Sequence, residues 1–190
     1  MRRLFSCTSG YSLLEALIVL AIVAIFARFA VFETSEWLAR HRAAAAMDSI
    51  RTAINFARQT AAGLNVRVIV CPAAAEGCGG RDAWHDGVMI FADENRNARR
   101  DDDERVLARL PGFRHGRVRW RSFRNRSYLV FTPRGITDWQ NGHFRYCPDS
   151  GDVRRSRQLV LNAAGRVYPS RDGDGDGVHE DASGEPLVCA

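Results

Sequence analysis

The chain has 190 residues, 46% of them hydrophobic and 26% charged, enough for one domain of ordinary size with a further element; a disordered tail or a collagen-like rod is excluded. Its 27 basic residues are all arginine, set against 22 acidic ones for a formal balance of +5. Without lysine there is no Schiff-base chemistry and no amine for a phosphate-binding loop, so any anion site must use guanidinium, backbone amides or a metal.

The first element is apolar. From Leu13 to Phe32 only Glu15 and Arg28 interrupt the hydrophobic run, and twenty residues at about 1.5 Å each give roughly 30 Å, the thickness of a bilayer's hydrocarbon core. One membrane-spanning helix is expected. Arg2 and Arg3 precede it, so the positive-inside rule places the short leader in the cytoplasm and the rest outside. A cleaved secretory signal is the rival reading. Against it, no small-residue cleavage site follows the apolar core, and the run continues into an alanine-rich stretch from Ala39 to Ala62. Glu15 is also costly in lipid and calls for a partner.

The segment Gly10-Tyr11-Ser12-Leu13-Leu14-Glu15 followed by the apolar run resembles the class III leader of type IV pilins and type II secretion pseudopilins. The resemblance implies cleavage by a prepilin peptidase between Gly10 and Tyr11, N-methylation of Tyr11, and Glu15 as the fifth mature residue. A carboxylate there can pair with the terminal amine of a neighbouring subunit, which relieves its desolvation only in the assembled filament. The expected organisation is a leader at 1–10, a transmembrane and assembly helix at 11–34 and a periplasmic domain at 35–190.

Beyond the span, Ala39, Ala43, Met47, Ile50, Ile54, Ala57 and Ala61 recur at steps of three and four. That is the period of an amphipathic helix laid on a core, and it runs to about residue 62, with Gly63 and Asn65 as the stop. The two helical stretches are expected to form one rod of about 50 residues, about 75 Å long. The period then changes to two. Short β-like runs stand at 65–70, 88–91, 105–110, 117–123, 128–131, 143–147, 158–161 and 166–168, separated by Gly, Pro, Asn and Asp. The predicted fold class is α+β, a long N-terminal helix packed on an antiparallel β-sheet domain.

Five cysteines are present, and Cys7 would leave with the leader. Cys71, Cys78, Cys147 and Cys189 form an even set outside the membrane, where disulfides persist. Three connectivities are open. The short gap between Cys71 and Cys78 favours a local bridge, which leaves Cys147 to tie Cys189. Zinc is the alternative, and no Cys-x-x-Cys pair supports it. The pattern Val70-Cys71, Gly77-Cys78, Trp84 and Gly87 to Asp93, with Phe131, Gly135, Gly142 to Cys147 and Gly165-Arg166-Val167, resembles the GspH/FimT group of minor pilins.

Seven arginines fall between Arg109 and Arg126, and in Gly116-Arg117-Val118-Arg119-Trp120-Arg121 the alternation sends Arg117, Arg119 and Arg121 to one face of a strand. Such a stripe attracts a phosphate backbone through salt-sensitive contacts. The resemblance to FimT-like proteins implies DNA binding through a Gly-Arg-x-Arg element near the C-terminus. Here that element reads Gly165-Arg166-Val167-Tyr168, with Arg171 nearby and a literal Gly-Arg-Val-Arg at Gly116 to Arg119. The competing reading is a solvated basic face balanced by acidic neighbours.

Two acidic loops are candidate calcium sites. Asp93, Asn95, Asn97, Asp101 and Glu104 occupy positions 1, 3, 5, 9 and 12 of an EF-hand-like loop, with Ala98 where glycine belongs. Asp172, Asp174 and Asp176 alternate with glycines in the second, which has Ser183 at position 12 and Glu180 and Asp181 available. Either could be a polar turn that balances arginine. The five histidines are scattered, and neither His-Glu-x-x-His nor Gly-x-Ser-x-Gly occurs. A Cys71 and His85 pair is the only nucleophile arrangement, and a disulfide would remove it, so no enzyme is expected.

The sequence therefore predicts a minor pilin-like subunit for type IV pilus assembly, held in the bacterial inner membrane and added to a pilus or pseudopilus tip. Expected partners are other minor and major pilins, the assembly platform, the processing peptidase and, for natural transformation, double-stranded DNA. The alternatives are a GspH-type pseudopilin of type II secretion and a membrane-anchored DNA-binding module outside any filament.

Overall fold

Ser12 opens the first helix: its Oγ accepts the Glu15 backbone N–H at 3.2 Å, and its carbonyl accepts the Ala16 N–H. Ser-x-x-Glu is the sequence pattern of a helix N-terminal box, which satisfies donors that the first turn would leave bare. The helix, α1, covers Leu13–Leu64. The computed structural model describes residues 12–189, and the side chains of all of these except 29–36. Gly10 and Tyr11 lie outside the described residues. The chain divides into two units, 1–39 and 40–190. In the first, apolar side chains from Leu13 to Phe26 are exposed in succession, among them Leu17, Ile18, Leu20 and Val23. Among the described residues no helix is long and apolar enough to cross a membrane.

The second unit begins with the rest of α1. Ala43, Met47, Ile50, Ile54, Ala57 and Ala61 are buried, the positions that the three-and-four spacing selects, while Asp48 is exposed. The helix ends by a specific device. Asn65 takes a left-handed φ of 55°, and the Val66 N–H reaches back to the Ala61 carbonyl at 3.2 Å. This is a Schellman-type stop, with asparagine in the place that glycine usually holds.

The β region forms two antiparallel sheets. The first contains β1 (Val68–Ala74), β2 (Gly77–Cys78), β3 (Gly87–Ala92), β4 (Val106–Pro111) and β6 (Leu129–Phe131), with β1 paired to β2, β3 and β6, and β3 paired to β4. The second has the order β5 (Gly116–Ser122), β7 (Gly142–Pro148), β8 (Arg157–Leu161) and β9 (Val167–Pro169). The short strand β2 has no counterpart among the expected runs, because two residues cannot display a period.

The two sheets solve burial differently. Every residue of β3 is buried: Val88 and Ile90 join the helix-side core with Val68 and Val70, while Met89 and Phe91 join a second cluster with Ile69, Cys71 and Val130. A sheet covered on both faces reads as a continuous apolar run instead of an alternation. In the second sheet Val118, Trp120, Phe144, Tyr146, Leu159 and Leu161 point into the helix-side core. Phe144 stacks on Trp120 at 4.4 Å and meets Trp84 edge-on at 4.7 Å. Gly116 is required here: a Cβ would stand 2.4 Å from the Tyr146 ring, whose hydroxyl donates to the His115 carbonyl at 3.1 Å.

Disulfides join Cys71 to Cys78 and Cys147 to Cys189. The first staples the β1–β2 hairpin. The second draws the C-terminal segment over the outer face of the second sheet, where the Arg145 guanidinium donates to the Val188 carbonyl at 2.8 Å and Leu187 is buried.

Candidate functional site

The outer face of the second sheet is where the arginine alternation leads. Strand β5 pairs with β7 so that Arg117 faces Cys147, Arg119 faces Arg145 and Arg121 faces His143. Val118 and Trp120 turn to the core, so the guanidiniums of β5 share the other face with Arg145. Arg117 and Arg121 are exposed. Arg119 is half-buried and pairs with Asp82 at 3.8 Å. Arg145 is engaged by Gln158 Oε1 as well as by Val188.

This face is basic, but not uniformly so. Burial first, and then the Arg145 and Arg121 charges, hold the His143 pKa below its ordinary value. Its ring is therefore neutral near pH 7 and adds no charge to the row. Burial holds the Arg145 pKa below its ordinary value, and Asp181, on the C-terminal segment, partly offsets that by favouring its charged form. The acidic partner is thus supplied by the chain's own tail.

Arg166 and Arg171 are also exposed, and they flank β9 at the opposite edge of the sheet from β5. With β7 and β8 between them, the two arginine sets stand about 14 Å apart across the strands. The structure brings Arg117, Arg119 and Arg121 together and leaves Arg166 and Arg171 on the other rim.

The two acidic loops differ in what they assemble. In the second, Asp172, Asp174, Asp176 and Glu180 each offer a carboxylate oxygen, and these oxygens lie within 4.8 Å of one another. Backbone amides already hold them in place: Asp172 accepts from Gly175 and Gly177, Asp174 from Asp176, Asp176 from Val178 and Glu180 from Gly173. An exposed set of hard oxygen donors is the chemistry a calcium ion takes. In the first loop the acids take separate partners. The buried Asp93 pairs with Arg67 at 3.1 Å, Glu104 accepts from the Glu94 and Asp101 amides, and Asp101 accepts from Asn95 and Asn97. Those two hydrogen bonds, the one from Asn95 foremost, hold the Asp101 pKa below its usual value. Among the described residues the acids of this loop form no such cluster.

Glu15 is exposed in the first turn of α1, in the unit apart from the β region. Cys71 is disulfide-bonded and so offers no thiolate to His85. The remaining surface was not singled out from the sequence. Phe123 is 83% exposed and Trp139 74% exposed. Phe123 carried a signal, since it continues the odd-numbered row of Arg117, Arg119 and Arg121. Trp139 carried none beyond the Asn141-Gly142 turn beside it.

Comparison with known proteins bears on the chain as a whole. The family model of GspH, a type II transport protein, matches residues 46–165. No curated protein matches the sequence. Among solved structures, the type IV minor pilin FimU of Pseudomonas aeruginosa strain PAO1 is similar in two crystal forms. In space group P21 the TM-score is 0.53 at 18% identity, covering 80% of this chain and 97% of FimU. In P65 it is 0.49 at 17%, covering 77% and 98%. At this identity the first of these shows a shared fold.

Proposed function

Because the chain belongs to the GspH family, we propose that it is a minor pilin-like subunit of a type IV pilus, built into the filament through its N-terminal helix. One observation carries this reading: the helix of the first unit exposes apolar side chains all along Leu13 to Phe26, with Glu15 the one charged residue among them. A helix that is apolar all round needs lipid or a packed neighbour. A pilin-type precursor uses both in turn, first inserted in the inner membrane through 11–34 with the domain 35–190 in the periplasm, then packed among other pilins at the filament tip.

In this reading the prepilin peptidase cuts between Gly10 and Tyr11, Tyr11 is N-methylated, and Glu15 pairs with a neighbour's terminal amine on the assembly platform. Glu15→Ala in the native host tests it. Loss of surface pili is the expected result, and unchanged piliation overturns it. Loss of protein export in place of pili points to the type II secretion machine, as the family description suggests.

Double-stranded DNA binding is a second reading, favoured by the two exposed guanidiniums Arg117 and Arg121 on the edge strand β5. Contacts of this kind weaken with salt and do not depend on sequence. A salt series with the Arg117→Ala/Arg121→Ala variant, beside Arg166→Ala/Arg171→Ala, shows which rim carries the phosphates. A variant that keeps duplex binding and function after Glu15→Ala is instead an anchored module outside any filament.

A further inference from the structure

Charge is segregated along this chain. Residues 109–126 hold seven arginines and no acid, and residues 172–185 hold six acids and no arginine. The fold sets these stretches at opposite rims of the second sheet: β5, in the first, is one edge strand, and the second follows directly on β9, the other edge. Part of the basic rim is neutralised by its neighbours, since Arg119 pairs with Asp82 and Arg126 with Asp138. The rest is not. Arg114, Arg117, Arg121 and Arg124 are exposed and carry no ion pair or side-chain hydrogen bond among the described residues.

The acidic rim is equally short of partners. Asp172, Asp174 and Asp176 are exposed, and their oxygens accept backbone amides but enter no ion pair among the described residues. The arginines on that side are Arg166, Arg171 and, on β8, Arg157. Arg157 is within electrostatic reach of Asp172, but its guanidinium donates to the Arg154 and Ser156 carbonyls. Asp181 already serves Arg145. Over 166–185 the acids still outnumber the arginines, six to two. With β7 and β8 between them the rims stand about 14 Å apart, beyond the screening length of about 8 Å at physiological salt. Within one chain they do not neutralise each other.

We infer that each rim docks on the opposite rim of a second copy of this chain, with the carboxylates of Asp172, Asp174 and Asp176 seated on the guanidiniums of Arg117 and Arg121. Guanidinium and carboxylate match in charge and in paired hydrogen bonds. Side chains make the contact, because an edge strand studded with charge is blunted against strand addition. The contact joins unlike surfaces, so each added copy presents a fresh rim, and the copies extend as a row. An acidic protein of another kind would answer the basic rim and leave the acidic one bare. The filament reading uses the N-terminal helix, and this contact goes beyond that reading without resting on it.

The test is sedimentation of the full chain in detergent micelles at low salt, comparing variants that share the same helix. The parent's protein mass is expected to rise with concentration, and to stop doing so in about 0.5 M sodium chloride, where the screening length falls to about 4 Å. Arg117→Glu/Arg121→Glu and Asp174→Arg/Asp176→Arg should each lose that salt-sensitive association. Mixed in equal amounts, the two variants should regain it but stop at one chain of each, about twice the mass of either alone, because one native contact remains between them. This mixture also shows that both variants are folded. Arg99→Glu/Arg105→Glu makes the same charge change at exposed positions on neither rim, and should match the parent. Absence of salt-sensitive association in the parent overturns the proposal. So does a mixture that stays at the mass of the single variants, or a control variant that loses association as fully as the rim variants. Failure of the filament reading is read separately, from piliation in the Glu15→Ala strain.

Discussion

The two sheets of the β region are built from the same kinds of strand and face opposite demands. The first lies between α1 and a second apolar cluster, so Met89 and Phe91 are as deeply buried as Val88 and Ile90. The second buries one face in the helix-side core, and its other face carries Arg117 and Arg121 in the open, with the disulfide-tethered tail over Arg145. A strand with both faces committed to packing has no position to spare for recognition. A strand with one free face can change its outward residues at little cost to stability, and in this chain the charge and the exposed aromatics gather beside that sheet.

The sharpest way to break this contrast is to substitute the face of each sheet that points away from α1. Phe91→Ala is expected to cost about 3–5 kcal/mol in urea unfolding, because it empties a fully buried site. A loss below about 1 kcal/mol would mean that the second cluster is not a core. Next come the disulfides. Loop-closure entropy assigns about 4 kcal/mol to the Cys147–Cys189 bridge, of sequence separation 42, and about 2 kcal/mol to Cys71–Cys78, of separation 7. Paired serine substitutions followed by chemical unfolding check the order, and an inverted order would show that the tail contributes little to the folded state.

A smaller effect is expected from pH. The pKa values of both His143 and His179 are lowered, chiefly by burial and then by nearby arginines. The unfolded chain therefore takes up these protons first as the pH falls. Their stabilising contribution is complete above the ordinary histidine value of 6.5 and is lost as the pH drops through the folded values. The melting temperature should fall between pH 7.5 and 5.5, and a His143→Gln/His179→Gln variant should flatten that slope. The smallest effect belongs to Arg121→Ala, on the exposed row, which is expected to change stability by no more than about 0.5 kcal/mol. A large loss there would place that guanidinium within the fold's own packing.

Much of the architecture was legible because its periods are undisturbed. The helix face from Ala43 to Ala61 and the alternation in β5 follow directly from the spacing of apolar residues, and the stop at Asn65 follows from its tolerance of left-handed backbone. The division into two sheets was not legible. It depends on which strands pair, and β1 pairs with β6 across nearly sixty residues of chain. The two-faced burial of β3 erased the alternation that would have marked it as one-sided. Of the candidate residues, Asp172, Asp174 and Asp176 are brought together with Glu180, since the glycines between them let the loop fold on itself. Asp93 and Glu104 are instead drawn into the domain, by Arg67 and by backbone amides. Trp139 escaped notice because its exposure follows from the buried Gln140 next to it, a contact that no local pattern announces.

The bridge between Cys147 and Cys189 has a mechanical meaning. It closes a covalent ring around β8, β9 and the acidic tail, so tension applied near the C-terminus enters the molecule at Cys147 and never reaches residues 148–188 behind it. That ring withholds roughly 140 Å of contour from any extension. Under load the edge strand β9 cannot be unzipped from the tail end, and force arrives directly at β7, which is hydrogen-bonded on both sides. A force-extension trace should lengthen by that amount only after the bond is reduced.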